Sequence, residues 1–369
     1  MTSVAGFALI ACTPGVPSGR DHWLDIAKRA GAIGVTVAEV HSSGSEIAHL
    51  VADIRARRGG RQRCWLVLTV SDPVTVRSLR TVYGGLLWQV DAADSSWNDG
   101  SPVMGGDVVT KVAGDTFDRY ATLLAWPGAH GPTADEQAMY FAAAARLRSS
   151  TVRGQAGAAL CDETGDLIAV GSNEVPRAGG GQYWDGDPYD GRDRARFGYD
   201  YATAARWGDF MDTLDWLVER AMLSAAVRDA IAALGVNALP GDRLPQVLKG
   251  EARGRNIHAE EAAILSAARR GVRLGGSRAY TTQPPCHLCL RHLIGAGVRT
   301  IQYLPGRASQ DLVARHGDAL RSDGVSLEQF TGITPTGYER LFGRLSGRTA
   351  GVAEMTMLLE ESLCRQSAP

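Results

Sequence analysis

His258-Ala259-Glu260, followed further along by Pro284-Pro285-Cys286-His287-Leu288-Cys289, is the stretch that decides how this chain is read. One imidazole and two thiols give three zinc ligands of matching softness. Three protein ligands leave the fourth tetrahedral position open for water, as a catalytic zinc requires. Residues two apart do not share a helix face, so His258 and Glu260 can serve one site only if His258 stands at the mouth of a helix. The run Glu260 to Arg270 is rich in good helix formers and stops at Gly271, which predicts that helix. A second helix is expected from Cys286, because Pro284 and Pro285 are tolerated before a first turn and Gly295 and Gly297 close the far end. Two helix N-termini then converge on the metal, where their partial positive charge favours thiolate over thiol. Glu260 is left as the group that moves protons beside the zinc.

Composition narrows the partners. With 369 residues, 44% of them hydrophobic, the chain has length for two domains and apolar content for real cores. A formal net charge of −1 gives no electrostatic footprint for a nucleic-acid polymer. Lysine occurs only at Lys28, Lys111 and Lys249, so nearly all the basic charge is arginine, which suits carboxylate or phosphate pairing. No apolar run approaches the ~20 residues of a membrane span, and the first residues lack the basic-then-apolar layout of a signal peptide. A cytoplasmic protein without a membrane partner is expected. Cys286 and Cys289 are assigned to metal, whereas Cys12, Cys64, Cys161 and Cys364 are scattered and read as reduced thiols.

In chain order, residues 1–130 read as an α/β unit. Gly6 to Cys12 is a short apolar strand, a turn spans Thr13 to Gly19, and Asp21 to Ala30 is amphipathic. Strand, glycine loop and helix make the frame of a P-loop, yet Arg20 and Asp21 stand where Lys and Ser/Thr would hold phosphate and magnesium. Cys64 to Val70 reads as a buried parallel strand, Val74 to Val82 as a helix and Gly85 to Ala92 as a further strand, which predicts a doubly wound sheet. Asp94 to Gly106 and Pro127 to Pro132 read as loop and linker. A second domain, 133–345, begins with a helix over Asp135 to Arg148 and a hairpin of strands from Gln155 to Cys161 and on to Gly171. An insert from Asn173 to about Asn256 contains a helical run from Phe210 to Leu234. Beyond the zinc stretch come strand Arg278 to Thr281, helix Cys286 to Ala296, strand Arg299 to Leu304, a helix near Ser309 to His316 and strand Ser326 to Phe330. This order predicts one mixed sheet covered by helices on both faces, with 346–369 as a C-terminal tail.

Several segments carry a resemblance. H-x-E followed by P-C-x-x-C is the signature of the zinc nucleobase deaminases, and the region from Arg153 to Phe342 resembles a cytidine or deoxycytidylate deaminase. Gln155 to Ala159, Asn173 to Trp184, Phe330 to Pro335 and Leu79 to Gly84 are more narrowly similar to the bacterial anti-phage dCTP deaminases, in which a P-loop-like domain precedes the deaminase domain. The resemblance implies a degenerate P-loop-like domain followed by a cytidine deaminase-like α/β/α domain, with Zn2+ as cofactor. It implies a small deoxycytidine nucleotide as substrate, dCTP or dCMP, and depletion of dCTP during phage infection. It further implies a homo-oligomer and a regulatory RNA or nucleotide at the first domain. By the same resemblance Asn173 contacts the sugar, Arg153 pairs with a phosphate, Tyr183 and Trp184 wall the base, and Ala259 belongs to the substrate site. Ala262 departs from the family by standing where many deaminases place Asn.

Other readings of the same residues stay open at this point. The zinc could be structural, completed by His287 or His292, in a regulatory nucleotide or RNA sensor. A purely structural site has no use for the carboxylate of Glu260. A housekeeping dCMP deaminase supplying dUMP would use the same chemistry. The acidic run Asp185, Asp187, Asp190, Asp193 does not make an EF-hand, because Tyr189 occupies the third ligand position, and reads as a solvated loop.

Overall fold

The computed structural model describes residues 6–12, 36–39, 47–59, 63–69, 87–91, 108–111, 129–151, 154–235, 254–304, 310–321 and 324–343, together with single positions between residues 75 and 123. The turn at Thr13 to Gly19, the helix expected over Asp21 to Ala30, the linker Asp94 to Gly106, Arg153 and the tail 346–369 lie outside the described residues.

The first third builds a sheet from β1 (Gly6–Cys12), β2 (Thr36–Glu39), β3 (Arg63–Thr69), β4 (Leu87–Asp91) and β5 (Val108–Lys111). Their order is β5-β4-β1-β3-β2, all parallel, so the chain leaves β1 toward one side and returns across it to the other, a doubly wound order. Leu9, Ile10, Trp65, Leu66 and Val67 are buried, as continuous apolar runs demand of parallel strands. Strands β2 and β5 and helix α1 (Ile47–Arg58) add to the elements expected from sequence.

The second sheet is mixed. Strand β6 (Gly157–Cys161) is antiparallel both to β7 (Leu167–Ser172) and to β8 (Arg278–Thr281), while β9 (Thr300–Tyr303) and β10 (Ser326–Gln329) continue parallel, giving the order β10-β9-β8-β6-β7. Helix α2 (Ala134–Arg146) covers one face. It begins at Thr133, whose hydroxyl accepts the Glu136 N–H while Glu136 accepts the Thr133 N–H, a reciprocal cap that the T-x-x-E spelling encodes. Every residue of β6 is buried, and alternate side chains serve two cores. Ala159 and Cys161 pack with Ala138, Met139, Ala142 and Phe330 under α2. Ala158 and Leu160 pack on the other face with Ala263, Ala267, Leu290 and Leu293.

The insert differs from the single helix expected over Phe210 to Leu234. A short helix α3 (Asp193–Phe197) precedes α4 (Tyr201–Glu219) and α5 (Ala225–Leu234). The break comes at Ala221, which has φ 54°, and at Ser224, whose hydroxyl caps α5 by accepting the Val227 N–H. Beyond the zinc stretch, β11 (Gly332–Ile333) joins the first sheet rather than the second, pairing antiparallel with Val108–Val109. Beside it the fully buried Glu136 receives Arg119 through both oxygens at 2.9 and 2.8 Å, and the Ile333 N–H at 3.0 Å. One carboxylate therefore binds the end of the first segment, the start of α2 and the strand that completes the first sheet.

Candidate active site

The zinc stretch folds as its spacing requires. His258 is the N-cap of α6 (Ala259–Arg269), in extended backbone, and Cys286 is the N-cap of α7 (His287–Gly295), with its sulfur accepting the Cys289 N–H. Two flanking contacts deliver His258. Ile257 bridges antiparallel to Glu174, and Arg255 pairs with the buried Asp193 at 2.7 Å while also reaching the Gly191 carbonyl. On the other side, β8 ends at Thr281 and runs through Pro284-Pro285 into Cys286.

The three donors converge. His258 Nδ1 lies 3.5 Å from Cys286 Sγ and 3.3 Å from Cys289 Sγ, and all three ligand atoms fall within 4.8 Å of one another. A tetrahedral zinc with Zn–S of about 2.3 Å and Zn–N of about 2.05 Å holds N and S roughly 3.6 Å apart, so the residues fit the ion. His287 and His292 are not part of this cluster. His292 Nδ1 instead meets Glu261 at 3.0 Å, and the His287 carbonyl meets His316 Nε2 at 3.2 Å. The contact with the Cys286 sulfur, together with burial, pushes the Cys289 thiol above its ordinary range. A thiol so placed becomes thiolate when a cation lies beside it, which is the chemistry of this donor set.

Glu260 shares a cavity of about 160 Å³ with His258 and Cys286, walled further by Ala156, Asn173 and Gln283. Burial pushes the Glu260 carboxyl above the usual carboxylate range. The negative charge of Cys286 adds to this, while its own backbone N–H, His258 and a hydrogen bond with Cys289 pull the other way. A carboxyl moved toward neutral pH is suited to taking up and releasing a proton.

The remaining sequence candidates fall in different places. Asn173 lines the cavity, but its amide is committed to the segment beside it. Oδ1 accepts from Ala156 N at 2.7 Å, and Nδ2 donates to Thr151 Oγ1 and the Gly154 carbonyl. Ala259 is buried at the first position of α6 and packs into the core. Tyr183 and Trp184 stand outside the cavity lining. Trp184 is 59% exposed and lies against the Arg148 guanidinium at 3.7 Å, and Tyr183 packs on Gly191 and edge-on to Tyr189. Both belong to the Gly-rich loop, pinned by Arg148 to the Gln182 and Tyr183 carbonyls. Within the acidic run, Asp187 pairs with Arg177, Asp190 with Arg192 and Asp193 with Arg255. Sequence reasoning passed over Glu261, although a glutamate three residues after an N-cap is a capping signal.

The sequence profile of the cytidine and deoxycytidylate deaminase zinc-binding region matches residues 132–304. These residues form a deaminase domain of that family. The converging His258, Cys286 and Cys289, and Glu260, all lie inside it, and the metal of the deaminase domain is Zn2+. A curated relative, cytidine and dCMP deaminase domain-containing protein 1 of Danio rerio, is 32% identical over 109 residues, 30% of this chain and 22% of the relative. ComE operon protein 2 of Bacillus subtilis (strain 168) is 43% identical over 49 residues, 13% of this chain and 26% of the relative. The chain thus spans about a quarter of the length of these curated relatives. Among solved structures, the dCMP deaminase of cyanophage S-TIM5 in complex with dCMP and dUMP is 18% identical with a TM-score of 0.31, covering 55% of this chain and 99% of that one. No helix among the described residues is long and apolar enough to cross a membrane.

Proposed function

We propose that the deaminase domain hydrolyses the exocyclic amine of free deoxycytidine nucleotides, dCTP or dCMP, to give the deoxyuridine nucleotide and ammonia. The observation that carries this reading is the buried Glu260 in one cavity with His258 and Cys286, two of the three converging metal donors. A structural zinc site needs no such carboxylate, and neither neighbouring histidine closes the fourth position. Zinc bound there supplies a Lewis acid that makes hydroxide available from water near pH ~7. Glu260 takes the proton released by the attacking water, delivers it to N3 of the base, and protonates the amino group as it leaves. Water adds at C4, the C4–N bond breaks, and no oxidant or reductant is consumed. His258, Cys286 and Cys289 remain deprotonated ligands throughout.

Asn173 retains one role toward substrate in this reading. Both of its N–H donors are spent on Thr151 and Gly154, so only the second lone pair of Oδ1 can accept a sugar hydroxyl. Arg153, from the same segment, is assigned the phosphate on the strength of the resemblance. That resemblance also supports depletion of dCTP in anti-phage defence, and control of the deaminase domain by the first sheet through a nucleotide or RNA. Product analysis of the purified full chain against CTP, dCTP, dCMP and deoxycytidine tests the substrate class. Deoxyuridine product from dCTP or dCMP, lost in Glu260→Ala, is expected. Turnover of none of the four would overturn the reading, and preference for unphosphorylated deoxycytidine would remove the phosphate contact.

A further inference from the structure

The two helices that supply the metal donors are joined by a contact that the metal does not use. Glu261 Oε2 accepts the His258 backbone N–H at 3.0 Å, and Glu261 Oε1 meets His292 Nδ1 at 3.0 Å. His258 opens α6 and provides the imidazole. His292 lies on α7, three residues beyond Cys289 and so one turn along the same side of that helix. We propose that Glu261 and His292 form a positioning staple that fixes the spacing of the two ligand-bearing helices, so that zinc affinity depends on a pair that never touches the zinc.

A helix cap accounts for only one of the two Glu261 oxygens. The bond to His258 N would satisfy the start of α6 without any partner on α7, so the second oxygen and its imidazole are surplus to capping. The cross-link also lies where a small shift matters. His258 Nδ1 already stands at ligand spacing from both sulfurs, 3.5 and 3.3 Å, and metal–ligand distances tolerate only about ±0.2 Å. Glu261 and His292 side chains are 23% and 41% exposed, and an exposed pair adds little to global stability. The effect of breaking it therefore belongs in metal affinity rather than in unfolding. The inference rests on the metal site alone and stands whatever the substrate.

The test uses the full-length chain, with zinc affinity measured by competition against a chromophoric chelator and ligand geometry read from the visible spectrum of the cobalt(II)-loaded protein. Outer-shell partners of metal ligands typically control affinity by 10- to 100-fold, and His292→Ala is expected to lower zinc affinity by about that factor and shift the cobalt bands. The melting temperature of the metal-free protein should stay near that of wild type. His292→Gln, whose amide can still donate to Glu261, should recover most of the affinity. Glu261→Ala removes cap and staple together, so adding His292→Ala to it should weaken zinc no further. Zinc affinity of His292→Ala within twofold of wild type with an unchanged cobalt spectrum would overturn the proposal. An equal loss from His292→Ala in the wild-type and Glu261→Ala backgrounds would do the same, because it would show that the two side chains act independently.

Discussion

Replacing Gly171 by alanine should damage the active site from beneath α6, on the face of the sheet that the helix covers. Gly171 lies on β7 directly beneath α6, where an added Cβ would stand 2.1 Å from the Ala259 carbonyl oxygen, 2.5 Å from Ala263 N and 2.9 Å from Ala262 Cβ. Two of these are helix backbone atoms with no rotamer to escape into. The nearest contact is about 1.3 Å short of an ordinary one at 3.4 Å. The first turn of α6 must therefore lift by roughly 1 Å or carry the strain, at the upper end of the ~1–3 kcal/mol usual for overpacking. That turn begins at His258 and carries Glu260. A misplacement of ~1 Å at reacting groups costs on the order of 100-fold in rate. Urea denaturation should show Gly171→Ala less stable by about 3 kcal/mol, and deamination per zinc-loaded chain should fall about 100-fold. An unchanged urea midpoint with turnover within threefold of wild type would refute the claim that helix height over β7 sets the site.

Four further outcomes follow from the same geometry. Wild-type protein should hold about one zinc per chain by elemental analysis, and Cys289→Ala should lose both metal and activity, so full metal content in that variant would remove the ligand assignment. Glu260→Ala should keep zinc and fold yet lose deamination by ~100- to 10,000-fold, the range of general acid–base catalysis; turnover within tenfold of wild type would sink its role. Arg119→Ala strips the bidentate partner from the fully buried Glu136 and should cost about 3 kcal/mol in thermal or urea unfolding; a loss below about 0.5 kcal/mol would show that the two backbone N–H donors suffice. Burial raises the Cys161 thiol to about 11, so the unfolded chain ionises first as pH rises. The stability held below pH ~9 should therefore decline up to pH ~11, by as much as ~2–3 kcal/mol. Cys161→Val should flatten that decline, and an identical pH profile would contradict it.

The zinc stretch was legible because metal chemistry restricts residue types and helix geometry restricts their spacing. Helices α6 and α7 begin where His258 and Cys286 required, and β8 spans the expected Arg278–Thr281. Strands β1 and β3 were legible as near-continuous apolar runs, and β4 falls within the strand expected over Gly85 to Ala92. Strand β2 was not, because Thr36–Glu39 is short and ends in a charge, and α1 was not, because its apolar residues do not gather into a marked stripe. The split of α4 from α5 turns on one left-handed residue, Ala221, with no glycine or proline to announce it. Strand β11 has two residues, and its partner β5 lies more than two hundred positions earlier, a pairing that no local pattern records. Around the candidate active site, the residues whose donor atoms converge, His258, Cys286 and Cys289, and the buried Glu260 beside them were singled out by type. Asn173 and Glu261 act through which neighbour receives each oxygen, and that is settled only when distant segments meet.

The composition of the packing faces explains how the site can be held by backbone rather than by bulky side chains. Helix α6 buries Ala259, Ala262, Ala263 and Ala267 toward a sheet that offers Gly171, and α2 buries Ala138, Ala142 and Ala143 toward Gly157 on the other face. Small residues on both partners bring helix and sheet close, and backbone-to-backbone contact leaves little room for tilt or slide. Large side chains at these positions would raise the helices and let rotamer changes absorb small displacements. With alanine against glycine, the height of α6 above β7 is set by atoms that cannot rearrange. The direction left less constrained runs along the sheet, between α6 and α7, and that is the direction Glu261 and His292 span. Height from the glycine contact and spacing from the staple together place His258 Nδ1 opposite the two sulfurs, and each can be perturbed without touching a metal ligand.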